Sequence, residues 1–202
     1  MYAVGTGVAL FDQQQSGVGV CAPETPLVSI GEPGCWKFDK TYVPEKPILY
    51  FNLFNNQWTT NYRFWNEGKW TYRFRIWSFD KYDAASSLIT PSIETRYPVQ
   101  IASANTRRGK LPTQQTGVSV SRPGVLLSAF GANPDGEGIL LRVWEQAGVS
   151  GKLTVELPKG SKAKKATPVN LRGEIIGKSL SIRDEKLTFE LKAFAPYSFV
   201  LK

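Results

Sequence analysis

Apolar and polar positions alternate along much of this chain. Trp70-Thr71-Tyr72-Arg73-Phe74-Arg75-Ile76 alternates, and so do Leu153-Thr154-Val155-Glu156-Leu157 and Leu187-Thr188-Phe189-Glu190-Leu191. A two-residue period sends successive side chains to opposite faces, so each segment reads as a strand with one face buried. Two further segments, Pro47 to Phe54 and Ile139 to Trp144, are almost wholly apolar, the composition of central strands. Turn residues punctuate these runs. Asn66-Glu67-Gly68-Lys69 separates two aromatic stretches and reads as a hairpin loop. Asn133 to Gly138 and Arg183 to Lys186 read as further turns. No segment sustains a 3.6-residue period and helix start and stop signals are missing, apart from one helical turn expected near Asp80 to Ser87.

The pattern predicts an all-β protein with two β-sandwich-like units of mainly antiparallel strands. A polar stretch from Ala102 to Arg122 holds few large apolar residues and reads as a connection. It divides an aromatic-rich sandwich over residues 1–107 from a smaller sandwich over residues 108–202.

Composition narrows the function. The 202 residues are 42% hydrophobic, enough for a core of useful size, and no apolar run is long enough to span a bilayer. The first twenty residues lack a basic leader and do not read as a signal peptide. A soluble protein is expected, its compartment undetermined and export left open. The net charge of +8 concentrates in Arg107 to Lys110 and Lys159 to Lys165. Both runs lie far in sequence from the tryptophans and carry no nucleic-acid motif, so they read as solvated surface. Neither nucleic acid nor membrane is expected as a partner. Cys21 and Cys35 lie beside turn residues and read equally as an exported disulfide or as two buried thiols.

The chain contains no histidine. That removes a Ser-His-Asp triad, a Cys-His pair and every imidazole metal ligand. Carboxylate pairs remain, but Asp135 and Glu137 lie in a glycine-rich turn, a poor place to hold two carboxyls a few ångströms apart in a cleft. Asp39, Asp80 and Asp83 lack calcium-loop spacing. No catalytic residue, metal ligand or cofactor is assigned to this chain.

The chemistry that remains is aromatic and amide-rich. Four of the six tryptophans, Trp58, Trp65, Trp70 and Trp77, fall between Asn52 and Phe79. Asn55, Asn56, Trp58, Asn61, Arg63 and Trp65 are the candidate site, for carbohydrate or for a neighbouring domain. An indole face covers the CH face of a pyranose, amides bond hydroxyls, and arginine stacks on rings or pairs with carboxylates. The same amides also serve to fix a tight loop. Trp58 lies in a polar run and Trp65 just before the Asn66 loop, so at least one of them is expected at the surface. Trp70 and Trp77, seven residues apart on one expected strand, should face opposite sides.

Four stretches, taken in order, resemble a known family. They are Glu24-Thr25-Pro26-Leu27-Val28-Ser29-Ile30-Gly31, then Asn55-Asn56-Gln57-Trp58-Thr59-Thr60-Asn61-Tyr62, then Leu126 to Trp144, and finally Leu191 to Leu201. Their spacing is similar to that of the C-terminal β region of family-38 glycoside hydrolases, the retaining α-mannosidases. In that family the catalytic domain is an α/β unit N-terminal to this region, with a zinc ion held by histidine and aspartates and an aspartate nucleophile. A chain without histidine and without an α/β pattern does not carry that machinery. The resemblance therefore implies a non-catalytic C-terminal β-sandwich region, inactive by itself, that supports or completes the carbohydrate site of an N-terminal catalytic domain. A stand-alone carbohydrate-binding module built on the same sandwiches is the alternative. A nucleic-acid binder would rest on charge and aromatics alone.

Overall fold

The computed structural model describes residues 1–34, 41–54, 63, 65–103 and 112–202. They form two compact units, Met1–Pro98 and Val99–Lys202. Among the described residues, fourteen strands make four antiparallel sheets, and one helical segment lies in the first unit. The all-β expectation holds. No helix among the described residues is long and apolar enough to cross a membrane.

The first unit has two three-stranded sheets. One joins β1 (Tyr2–Ala3), β4 (Leu27–Ile30) and β5 (Leu49–Phe51) in the order β1-β4-β5; the other joins β2 (Val8–Phe11), β3 (Gly17–Cys21) and β6 (Arg75–Phe79) in the order β2-β3-β6. A π-helical turn, Ala84–Ile89, runs straight into helix α1, Thr90–Arg96. Asp83 caps this segment, its carboxylate accepting the Ser86 N–H at 2.8 Å. Bonds from the Ser86 N–H and hydroxyl hold that carboxyl below its ordinary range. Trp77 ties the helix to β6, its indole N–H donating to the Ser87 carbonyl at 2.8 Å. The indole also lies flat on Gly19, where any side chain would collide with it.

Three expectations fail in this unit. Trp70 to Ile76 is not one strand: β6 starts only at Arg75, and the described residues 65–74 lie outside any strand. The reason is the partner. β3 ends at Cys21, paired with Arg75, and the chain then turns through Ala22-Pro23, so there is no ladder left to join. The Arg73 N–H goes instead to the Glu24 carboxylate, at 3.1 Å. Pro47 to Phe54 is not a central strand either. Only Leu49–Phe51 forms a strand, at a sheet edge: it pairs with Val28 to Ile30, one further bond on each side, Gly31 N–H to the Ile48 carbonyl and Asn52 N–H to the Leu27 carbonyl, ends the ladder, and Gly31 is left-handed (φ +83°). The helical turn expected near Asp80–Ser87 continues to Arg96. Its buried positions, Ala85, Ser87, Ile89 and Ser92, are mostly small, so no large apolar side chains announce the helical period.

The second unit is a sandwich. A three-stranded sheet, in the order β13-β10-β7, comprises β7 (Ser119–Val120), β10 (Gly151–Glu156) and β13 (Lys186–Leu191). A five-stranded sheet, in the order β12-β11-β14-β9-β8, comprises β8 (Val125–Ala132), β9 (Ile139–Glu145), β11 (Lys165–Val169), β12 (Leu180–Ser181) and β14 (Pro196–Leu201). Leu153, Val155, Leu187, Phe189 and Leu191 from the first sheet meet Leu141, Val143, Phe199 and Leu201 from the second in one core. Along β13 burial alternates strictly with sequence, as the two-residue period predicts. The Asn133–Gly138 turn joins β8 to β9, and β9 lies between two partners as a central strand should. Arg183–Lys186 closes a tight hairpin with both central residues left-handed, Asp184 at φ 49° and Glu185 at φ 57°.

Candidate functional site

The aromatic surface of the first unit starts from two packed segments. The Trp70 ring lies 5.2 Å from that of Phe54, tilted by 50°, and Phe74 stands edge-on to Phe51 at 5.2 Å. The Tyr72 hydroxyl donates to the Leu53 carbonyl at 2.6 Å. Residues 51–54 and 70–74 therefore support each other without a strand ladder. Phe54, Trp70 and Phe74 remain nearly half exposed. Trp65 is 61% exposed, which meets the expectation for the pair Trp58 and Trp65. Trp77 is half-buried, and it does not share a strand with Trp70.

Of the six candidate residues, Arg63 and Trp65 are described, and both are exposed. Asn55, Asn56, Trp58 and Asn61 lie outside the described residues, as do Cys35, Asp39 and the basic run Arg107 to Lys110. Cys21 is a buried free thiol, which burial pushes up against the pull of Arg96.

Arg73, beside the aromatic segment, grips Glu24. Its Nε lies 2.7 Å from Glu24 Oε1 while its N–H meets Oε2. The Arg73 side-chain bond, then its backbone N–H, holds the Glu24 carboxyl below its usual range. We expect Arg73→Ala to return the Glu24 titration toward an ordinary glutamate value, read by NMR of its side-chain carboxyl. An unchanged titration would mean that another group holds it down.

In the second unit, Asp135 and Glu137 do not face a shared cleft. The Asp135 carboxylate lies against Gly173, while Glu137 Oε2 points to Lys202 Nζ at 3.8 Å. Among the described residues no group of three metal-ligating side chains occurs.

A different carboxylate organises this unit. Glu145 ends β9 with its side chain fully buried. It accepts the N–H groups of Ala147 at 3.1 Å, Gly148 at 2.9 Å and Phe194 at 2.9 Å, and Arg122 Nη1 lies 3.4 Å away. Burial pushes this carboxyl up, but the backbone bonds, led by Phe194, outweigh it and hold it below the ordinary range. Phe194 itself is left-handed at φ 56°, a costly conformation for a bulky side chain. Its ring caps Gly148, where a Cβ would sit 2.7 Å from the ring tip, and its carbonyl accepts the Trp144 indole N–H at 3.2 Å. The sequence offered only a glutamate closing an apolar run. Its donors lie as far as 49 residues away, so nothing local marks it.

Among the described residues of this sandwich Glu145 is the one buried charge, held by backbone N–H groups and by Arg122. Residues 124–195 match the glycosyl hydrolases family 38 C-terminal beta sandwich domain. No curated protein and no solved structure matches the chain. The family 38 match runs from the residue before β8 to the residue before β14, so it holds Glu145, Gly148 and Phe194. Arg122, β7 and β14 complete the same sandwich from outside the matched range.

Proposed function

We propose that this chain is the C-terminal β region of an α-mannosidase-like glycoside hydrolase, in which it supports or completes the carbohydrate site of a catalytic domain. The family 38 match over residues 124–195 carries this reading. On it, the second unit is the family's sandwich, and the first unit presents Asn55, Asn56, Trp58, Asn61, Arg63 and Trp65 to carbohydrate or to the catalytic domain. The exposure of Trp65 supports that placement, because leaving an indole in water forgoes about 2 kcal/mol of burial.

Trp65→Ala is the test. Because the side chain is mostly exposed, the melting temperature should move by no more than about 2 °C. Binding to a family 38 catalytic domain supplied in trans, measured by calorimetry, should weaken by about thirty-fold, the effect of losing an aromatic anchor worth about 2 kcal/mol. Mannose oligosaccharides titrated without the catalytic domain address the stand-alone module. If the wild-type chain binds the sugar and not the domain, the module is the correct reading. If Trp65→Ala alters neither kind of binding, Trp65 is not part of the site.

A further inference from the structure

The fold collects cations that the sequence keeps apart. Lys165, at the start of β11, is directly opposed to Lys202: each N–H donates to the other's carbonyl, both at 2.9 Å. The next pair, Ala166 and Leu201, points into the core, so Lys165 and Lys202 project from the outer face. The Lys164 N–H also reaches the Lys202 carbonyl, at 2.7 Å, and the Lys164 carbonyl accepts the N–H of Ile182 at 2.9 Å, which brings Arg183 alongside. Lys162 leads into this end of the sheet. All five side chains are exposed.

Like charges directly opposed across an antiparallel pair are unfavourable. Compensation is thin. Lys202 meets Glu137 only at 3.8 Å, and both are largely in water. Among the described residues Lys162, Lys164, Lys165 and Arg183 have no ion-pair partner. Of the neighbouring acids, Glu185 spends an oxygen on the Gly160 N–H.

We propose that this end of the second unit binds an anionic polysaccharide, a sulfated or uronate-bearing chain. The proposal is independent of the role assigned to Trp65. Three features select the ligand class. No aromatic side chain interleaves the cations of residues 158–165 and 180–186, so there is no platform for stacked bases. The patch has no apolar centre, which a protein interface keeps. Lys165 and Lys202 project from the outer face, whereas Lys164 pairs with the inward-facing Ile182. The charges thus bend around the end of the sheet where β11 starts and β14 finishes, which suits a flexible chain better than a flat membrane.

Calorimetric titration of the full chain with a heparin-type oligosaccharide tests this. Binding is expected at about 50 mM salt, weakening about tenfold or more at about 200 mM as counterions are displaced. Replacing Lys162, Lys164 and Lys165 together by alanine should weaken it about tenfold or more, and the glutamine set serves if the alanine set melts early. Replacing Lys46, Lys69 and Lys81 of the first unit removes the same charge and should change affinity by no more than about twofold. No binding at low salt, or equal loss in both sets, overturns the proposal. So does duplex DNA or an anionic phospholipid vesicle that binds through the same lysines as tightly as the oligosaccharide.

Discussion

Glu145→Ala will melt the second unit at a much lower temperature than the wild type. The substitution removes the acceptor of three partly buried N–H bonds and, among the described residues, the carboxylate partner of the largely buried Arg122. Breaking a largely buried ion pair costs about 3–5 kcal/mol, and the partly buried donors, which water can reach, add little beyond it. A net loss of about 4 kcal/mol corresponds to a fall of at least about 15 °C in a domain of this size. Scanning calorimetry reads it directly. Glu145→Gln keeps the shape and one acceptor oxygen, so its loss should be smaller. The pH dependence has a definite sign. Glu145 is depressed in the folded state, so its stabilisation is complete above the unfolded glutamate value, about 4.3, and is lost as pH falls through the folded value. The gap between wild type and Glu145→Gln should therefore be widest near neutrality and narrow on strong acidification. A melting temperature within about 2 °C of wild type for Glu145→Ala would show that the N–H groups find other partners.

Phe199→Ala should have a comparable effect by a different route. Phe199 is fully buried, with the Phe189 and Tyr197 rings each 4.7 Å from its own. Removing a buried phenyl ring loses its transfer free energy and opens a cavity that strands on both sides keep from collapsing, at about 3–5 kcal/mol. Unlike Glu145→Ala, the loss should not depend on pH, since no charge is involved. Chemical denaturation at two pH values separates the two cases. A loss below about 1 kcal/mol would mean that the core repacks around the gap.

How well the sequence could be read followed where each signal came from. β10 and β13 of the second unit were plain because large side chains alternate there and the two strands pair along their length. Trp70 to Phe74 alternates just as well, yet forms no strand, because pairing was decided by the turn after Cys21. The helix after Asp83 was hidden by the smallness of its buried residues. In β8 the register shifts between Leu127 and Ala129, which breaks the period in a way no local rule signals. The exposure of Trp65 could be anticipated from its polar flank, whereas the convergence on Glu145 depends on Phe194, which only the folded chain brings near.

The place of β14 has a consequence for how the protein is made. It sits between β11 and β9, in the middle of the five-stranded sheet, yet it is the last of the described strands to leave the ribosome. Until residues 196–201 emerge, the β8–β9 hairpin has an open edge, and Phe199 and Leu201 have not yet reached the core. Nascent chains halted before Pro196 should therefore be caught by holding chaperones and cut readily by protease, whereas release of a few more residues would close the sheet in one step.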